Sequence, residues 1–388
     1  MGSSDPLIPL FDLRVGEDEI AAVANVLRSG WLTMGPRTEE FERAFAEHLG
    51  SRHAVATSSG TSAIHLAYLA AGVGPGDEVV VPAITFVATA AAARYCGATP
   101  VLADVLGQDD LGVDPNDVEA KITERTRAVC AVHYAGYPAD LARLRELCAA
   151  RGVALVEDSA HHPLGRPVGT AGCFSFFSNK VLSCGEGGLL ATDDDAVAEL
   201  ARSRRSHALT SGTWDRHRGH SSEYDVVGLG YNYRLDEPRA ALLSARLPGL
   251  ERDVAERRRL VRRYRELLAG MTGVSVPYRD EDVAVSSCYV MPVMLERGEI
   301  RDPLRAFMLE ERRIQTSVLY PAIHEFSAYR GAGRGLERSE RAAATQLTLP
   351  LYPYLTQADQ DRVVAALADG LAELGAPSSS PAGSARPS

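Results

Sequence analysis

Short apolar runs alternate with helix-like stretches between about residues 18 and 247. The candidate strands are continuously apolar, which is typical of strands buried on both faces. They span residues 53–57, 78–81, 101–103, 128–133, 153–156, 173–176 and 188–192. Ala-rich or amphipathic stretches separate several of them, at residues 62–71, 86–96 and 140–151. This alternation predicts an α/β fold with a mainly parallel sheet, in which active sites form at the carboxyl ends of strands.

The remainder of the chain predicts a second, smaller α/β unit. A polar, arginine-rich helical pattern over residues 237–269 leads into it. Its expected elements are a strand at 288–295, a helix at 302–312, a strand near 315–319 and a closing helix at 357–374. We expect a large domain over residues 1–250 with an N-terminal arm at 1–35, and a small domain over 251–376. Residues 377–388 are rich in Ser, Pro, Gly and Ala, which predicts a disordered tail.

Composition excludes several classes of protein. The formal net charge of −10 argues against nucleic acid or an anionic membrane as a partner. The first residues lack a basic stretch followed by an apolar run, and no apolar run is long enough to cross a bilayer. The 6 cysteines include no CxxC pair, so reduced, buried thiols are expected. Together these features predict a cytoplasmic protein.

Lysine is scarce. It occurs only at Lys121 and Lys180, so arginine supplies the rest of the 41 basic residues. Base composition of the genome accounts for arginine at the surface. Arginine cannot supply a neutral amine nucleophile, whereas lysine can, which makes each remaining lysine a candidate for chemistry.

The first candidate site follows the first predicted strand. The segment Thr57-Ser58-Ser59-Gly60-Thr61-Ser62-Ala63 opens a helix with small residues and hydroxyls. Such a helix start favours a phosphate, because backbone N–H groups and hydroxyls converge there. A well-capped helix start without a ligand fits the segment equally well. A P-loop NTPase is disfavoured because no Gly-rich run ends in Gly-Lys-Ser/Thr.

The second candidate is acidic. Glu157 and Asp158 end an apolar strand, and His161 and His162 follow. An acid at this place can pair with a protonated pyridine nitrogen, the partner that makes pyridoxal 5′-phosphate (PLP) an electron sink. A helix N-cap and a zinc site are the alternatives, although adjacent histidines in a loop rarely direct both rings at one metal. We expect no metal.

The third candidate is Lys180. It comes just after the aromatic strand containing Phe174 and Phe176, and before the glycine-rich turn that contains Gly185, Gly187 and Gly188. Burial at this place would lower the pKa of the amine and make it a better nucleophile. A surface lysine after a strand is the alternative.

The order of phosphate cradle, acid and lysine resembles the PLP-dependent sugar aminotransferases of the DegT/StrS family, within the fold type I (aspartate aminotransferase) superfamily. The resemblance runs along nearly the whole chain, through residues 29–36, 59–63, 82–89, 157–158, 180, 230–234 and 320–324. It implies a large domain with a mainly parallel seven-stranded sheet and a smaller C-terminal α/β domain.

The resemblance also implies roles for individual residues. Lys180 would hold PLP as a Schiff base and shuttle a proton, and Asp158 would pair with the pyridine nitrogen. The other implied cofactor residues are Phe86 stacked on the ring, His161 near its 3-hydroxyl, Gly60, Thr61 and Ser175 at the phosphate, and Asn232 reaching the phosphate from a neighbouring subunit. The implied substrate residues are Trp31, Thr33, Gly35, Tyr320 and His324. The active unit would be a homodimer with shared sites.

The chain departs from the family pattern in two places. His161 stands where members commonly have glutamine, and Asn179 precedes Lys180 where many have threonine. Histidine can still donate a hydrogen bond, but its protonation would affect the cofactor. Relatives with histidine in place of the lysine are sugar dehydratases, so Lys180 argues against that branch.

A loop at residues 204–220 is rich in arginine and histidine. In the family it precedes the Asn232 motif and can approach the partner's site. Its arginines could grip a diphosphate in bidentate fashion, and a solvated basic loop fits the composition equally well.

The expected reaction is transfer of an amino group from an amino acid, glutamate or glutamine, to a keto-sugar carried on a nucleotide. Amino-sugar or antibiotic biosynthesis is the expected setting. The alternatives are a PLP-dependent sugar dehydratase or isomerase, an aminotransferase acting on a cyclitol ketone, and a non-catalytic PLP-binding regulator. No helix-turn-helix extension supports the regulator. A nicotinamide dehydrogenase is disfavoured because no G-x-G-x-x-G follows the first strand.

Overall fold

The computed structural model describes residues 6–210 and 223–375. A seven-stranded sheet forms its centre, as expected, and the ends of the seven strands predicted between residues 53 and 192 lie within two residues of the observed ends. The strands are β1 (His53–Thr57), β2 (Glu78–Pro82), β3 (Thr99–Ala103), β4 (Thr126–Val132), β5 (Ala154–Asp158), β6 (Ala171–Ser175) and β7 (Gly188–Thr192). The predicted tail at residues 377–388 lies outside the described residues.

The strand order is β1-β7-β6-β5-β4-β2-β3. All neighbours are parallel except β7, which runs antiparallel to both β1 and β6. The reversal follows from the connection, since residues 176–187 between β6 and β7 contain no helix, and a parallel return is usually made through a crossover helix. β4, β5 and β6 therefore end at the same edge of the sheet, where Asp158 and Ser175 are the last residues of β5 and β6.

Helices cover both faces of this sheet. They are α1 (Glu17–Ser29), α2 (Pro36–Leu49), α3 (Gly60–Ala70), α4 (Ala88–Tyr95), α5 (Pro115–Lys121), α6 (Leu141–Arg151) and α7 (Asp195–Arg204). Local sequence sets their ends. Ser59 caps α3 by accepting a hydrogen bond from the Ser62 N–H, and Gly50 ends α2 at a φ of 70°.

The pattern over residues 237–269 is not one helix. α8 (Glu237–Arg246) and α9 (Leu250–Leu268) are separated by a 3₁₀ turn at Leu247–Gly249. Pro248 explains the break, because it has no N–H for the helical ladder and its ring clashes with the preceding turn.

The C-terminal part has a three-stranded sheet in the order β10-β9-β8, with β8 (Val274–Ser275), β9 (Met291–Leu295) and β10 (Gln346–Leu349). Its helices are α10 (Arg301–Glu310), α11 (Glu337–Thr345) and α12 (Gln357–Gly375). The strand predicted near 315–319 is wrong. That segment makes only a single bridge, from Ser317 to Thr348 of β10, so it does not extend the sheet as a strand.

One hydrophobic core crosses the boundary expected at residue 250. It joins Phe41, Phe45 and Phe176 of the N-terminal part to Tyr264 and Met291 of the C-terminal part. The division into two domains stays a prediction. All six cysteines are free and buried, as expected. None of the helices in the described ranges combines the length and apolar character that a membrane crossing needs.

Candidate active site

A cavity of about 380 Å³ lies at the carboxyl ends of β5 and β6. Most of the predicted cofactor residues line it, together with one predicted substrate residue. They are Gly60, Thr61, Phe86, Asp158, His161, Ser175, Lys180 and Tyr320. The sheet topology brings these residues together, although they are up to 260 positions apart along the chain.

Lys180 follows β6 in a turn closed by its own N–H, which donates to the Phe177 carbonyl at 2.9 Å. Its Nζ lies 4.5 Å from the centre of the Tyr289 ring and 3.5 Å from that residue's hydroxyl. Burial lowers the pKa of Lys180 to about 8, although the nearby Asp158 carboxylate opposes the shift. Because of this shift, a useful fraction of the amine is neutral near pH 7.

Asp158 is the last residue of β5 and is 4 % exposed. Its Oδ2 accepts a hydrogen bond from Thr89 Oγ1 at 2.7 Å, and its Oδ1 accepts one from the Ala160 N–H at 3.1 Å. Burial raises the pKa of this carboxyl, and the two hydrogen bonds oppose that shift. A cation in the cavity would compensate for the burial of the carboxylate.

His161 lies in an aromatic stack. Its ring centre is 4.3 Å from that of Tyr289 and 5.8 Å from that of Tyr320, with near-parallel planes. Nε2 is 3.0 Å from the Tyr320 hydroxyl, whereas the buried Nδ1 has no hydrogen-bond partner within residues 6–210 and 223–375. The pKa of His161 lies well below its usual value, so the ring is neutral. Burial is the main cause, and the positive charges of Lys180 and His133 add to it.

The helix start at Gly60 is closely packed. A Cβ at Gly60 would come within 2.9 Å of Ser175 Cβ, and one at Gly188 within 2.2 Å of the Ser59 carbonyl carbon. Glycine at both positions lets the first turn of α3 lie against the ends of β6 and β7. The first-turn N–H groups of a helix have no acceptor within the helix, and they favour an anion.

The other predicted site residues do not line this cavity. Gly35, in the loop that contains Trp31 and Thr33, donates its N–H to Glu237 Oε1 at 2.9 Å. Asn232 forms a backbone bridge with Ser206, and His324 Nε2 lies 3.0 Å from Glu340 Oε1. Their contribution to a substrate or to a partner's site stays a prediction.

Two arginines of the predicted basic loop have structural partners. Arg204 donates to the Leu229 carbonyl at 2.6 Å, and Arg205 donates to the Ala56 carbonyl at 2.7 Å and contacts Glu42. The remaining residues of this loop, 211–220, lie outside the described residues. The hypothesis that its arginines bind a diphosphate therefore stays a prediction.

The zinc alternative finds no support in the described part of the chain, which contains no group of three or more His, Cys, Asp or Glu arranged around a metal. His162 Nδ1 lies 2.9 Å from the Gly136 carbonyl, whereas the His161 ring contacts Tyr320. The two adjacent rings therefore have separate partners.

Sequence reasoning missed two residues of the site. Thr89 binds Asp158 from the first turn of α4, and Tyr289 contacts both Lys180 and His161. Thr89 stands three positions after Phe86, in a segment already singled out, so it could have been found. Tyr289 lies more than 100 positions from either contact, and its local sequence gives no signal.

Comparison with known proteins agrees with this geometry. The family model for the DegT/DnrJ/EryC1/StrS aminotransferase family matches residues 14–368. The chain belongs to this family. The protein is therefore a PLP-dependent transaminase of fold type I.

Solved structures similar to this DegT/StrS-family chain cover almost all of it. The aminotransferase TlmJ from Streptoalloteichus hindustanus is 37 % identical, with a TM-score of 0.87, over 95 % of this chain and 100 % of that one. DesV from S. venezuelae, solved with a ketimine intermediate, is 35 % identical over 94 % and 98 %, with a TM-score of 0.85. A candidate sugar aminotransferase from Streptococcus pneumoniae, Spr1654, in its PLP form, is 26 % identical over 95 % and 100 %, with a TM-score of 0.87.

The residues around the cavity fit PLP. The tight cradle at Gly60 and Gly188 brings helix N–H groups and hydroxyls to one side, which suits a phosphate. The buried Asp158 carboxylate suits a protonated pyridine nitrogen, and the Lys180 amine suits an aldehyde. The unpartnered Nδ1 of His161 leaves one further hydrogen-bonding position at the cavity.

Proposed function

We propose that this transaminase moves an amino group from an amino acid, glutamate or glutamine, to the ketone of a sugar carried on a nucleotide. One observation carries the proposal: a buried amine with a lowered pKa and a buried carboxylate line the same cavity, beside a helix N-terminus. The similarity to Spr1654, a candidate sugar aminotransferase, supports a sugar as the acceptor.

Each residue then has a defined task. When bound, PLP supplies an aldehyde that exchanges for an amine and a ring that withdraws electrons from the reacting carbon. Lys180 Nζ takes the proton from the donor's carbon and returns a proton during the second half of the reaction. The Asp158 carboxylate would stabilise positive charge at the pyridine nitrogen. The N–H groups and hydroxyls of Gly60, Thr61 and Ser175 fix the phosphate.

Tyr320 lines the cavity and contacts His161, so its ring limits the space for the acceptor. Phe86 is 54 % exposed and lies 5.7 Å from the Tyr320 ring, in position to cover the cofactor. We further propose that Asn232 reaches the phosphate of a partner subunit in a homodimer, that residues Trp31, Thr33, Gly35 and His324 approach the acceptor, and that the protein is cytoplasmic.

A panel of keto-sugar nucleotides tests this function. The enzyme would be incubated with PLP, glutamate or glutamine and each candidate acceptor, and products would be followed by mass. We expect one acceptor to gain an amine while the donor releases an equal amount of its keto acid. An acceptor that loses water or isomerises with no keto acid released would instead indicate a dehydratase or isomerase, and an aminated cyclitol would correct the acceptor class.

A further inference from the structure

Lys180 must remain close to the reacting carbon when it is not attached to the cofactor. We propose that Tyr289 is a positioning residue, whose ring face holds the free Lys180 ammonium between the two halves of the reaction. The proposal rests on the proposed role of Lys180. Tyr289 belongs to none of the sequence motifs, and the roles proposed for Asp158 and Lys180 do not explain why it lies beside Lys180.

The first support is the position of Nζ. It lies 4.5 Å from the Tyr289 ring centre, within the distance at which a cation is attracted to an aromatic face. The Tyr289 hydroxyl, at 3.5 Å, is the one hydrogen-bond acceptor recorded for Nζ across residues 6–210 and 223–375. The Asp158 carboxylate acts on the ammonium without a hydrogen bond to it in those ranges, so Tyr289 is the side chain in direct contact with Nζ.

The second support is that Tyr289 is held in place from several directions. Its N–H donates to the Ala135 carbonyl at 3.0 Å, and its carbonyl accepts from Arg257 at 3.1 Å. Its ring packs against His161 on the cavity side and stacks with Phe11 at 6.1 Å. At 1 % exposure, the side chain has no room to leave. A fixed ring gives the flexible lysine one preferred place.

The third support is a balance of charge effects. Burial disfavours the ammonium form of Lys180, whereas the Asp158 carboxylate favours it and the ring face would favour it as well. Loss of the ring would therefore lower the pKa of Lys180 further below its usual range. Loss of the hydroxyl alone would leave most of the attraction in place, because the ring quadrupole supplies it.

The two lysines of this chain permit a direct measurement. The full chain, freed of cofactor, would be acetylated with trace acetic anhydride from pH 6 to pH 10, and the label at each lysine would be read by peptide mapping. Lys121, paired with Asp117 at 2.7 Å, is the internal reference. The midpoint of the Lys180 profile reports its pKa, and the plateau reports reagent access, so a widened cavity is not mistaken for a changed charge.

The expected results separate three variants. Tyr289→Leu should lower the midpoint by about one pH unit, since a desolvated cation–π contact and one pKa unit are of similar free energy. Tyr289→Phe should keep the midpoint close to that of the wild type. Tyr137→Leu removes an equally buried ring, stacked on Tyr278 at 3.8 Å, and should leave the midpoint unchanged. A purely structural effect would lower the melting temperature of both leucine variants without moving the midpoint.

Two outcomes overturn the proposal. One is a wild-type midpoint in Tyr289→Leu, and the other is a full shift in Tyr289→Phe, which would assign the effect to the hydroxyl rather than to the ring face. Failure of the proposed role of Lys180, on which this inference rests, has a different signature. In that case, borohydride treatment of the PLP-loaded wild-type chain leaves no reduced cofactor on Lys180, whatever the labelling midpoints are.

Discussion

The Lys180 cavity and the loop of residues 31–35 are built in different ways. The cavity residues stand at the ends of buried, paired strands, and Asp158 has its position fixed by β5 and by two hydrogen bonds. Glu237 holds the junction of the loop with α2, since its carboxylate accepts hydrogen bonds from the N–H groups of Gly35, Arg37 and Thr38 at 2.9 Å each. We therefore expect changes at the cavity to act on the chemistry, and changes at the loop to act on substrate binding.

Lys180→Ala tests the chemical side of this comparison most severely. The change removes the amine that moves the proton, so kcat should fall by on the order of 10³-fold or more. The purified variant should also lose the visible absorbance of lysine-bound PLP. Lys121→Ala, which removes the other lysine, should keep both, and unchanged absorbance and turnover in Lys180→Ala would refute the assignment.

Asp158→Asn comes next. The amide cannot stabilise a positive charge on the pyridine nitrogen, so kcat should fall by on the order of 10²-fold. Glu157→Gln is the matched control. Glu157 is an equally buried neighbour that accepts from the N–H groups of Val168 and Gly169 at 2.7 Å each, so its loss should act on stability and leave kcat within a few-fold. Equal losses of kcat in both variants would contradict a specific role for Asp158.

The lowered pKa of Lys180 predicts a pH-dependent cost to stability in the cofactor-free chain. The folded pKa of about 8 lies below the usual lysine value of 10.5, so the cost is fully present below pH 8 and disappears as pH rises towards 10.5. Lys180→Met removes the charge, and it should stabilise the chain by about 3 kcal/mol at pH 7. Urea unfolding at pH 7 and pH 10 measures the difference in free energy of unfolding between Lys180→Met and the wild type. A difference in free energy of unfolding that is the same at pH 7 and pH 10 would contradict the lowered pKa of Lys180.

Glu237→Gln should have the smallest effect on activity of the four variants. We expect its structural effect to be confined to the loop. The amide keeps one acceptor oxygen but loses the charge that binds the start of α2, so the loop should loosen. We expect KM for the acceptor to rise several-fold while kcat changes little, in steady-state kinetics. Glu40→Gln, which changes an exposed partner of Arg37, is the control. A loss of kcat as large as that of Asp158→Asn would show that loop and cavity are not separable.

Sequence reasoning predicted the sheet and three of the residues that line the cavity, because both depend on local patterns. Continuous apolar runs mark buried strands, and Gly60, Asp158 and Lys180 each follow such a run. Sequence reasoning did not predict Tyr289, because its contacts with Lys180 and His161 join residues more than 100 positions apart and form only in the folded chain. The strand near 315–319 was wrong because composition predicts an extended segment but not how many of its residues pair with a neighbour, and only Ser317 does. Sequence reasoning also did not predict that Glu237 caps α2, because the two are about 200 positions apart and meet only in the fold.

Reduction of the PLP-loaded protein with borohydride, followed by peptide mapping, tests the central claim most directly. With only two lysines in the chain, the result is unambiguous. We predict one reduced cofactor adduct per chain, on the peptide that contains Lys180. An adduct on Lys121, or on neither lysine, would contradict the account.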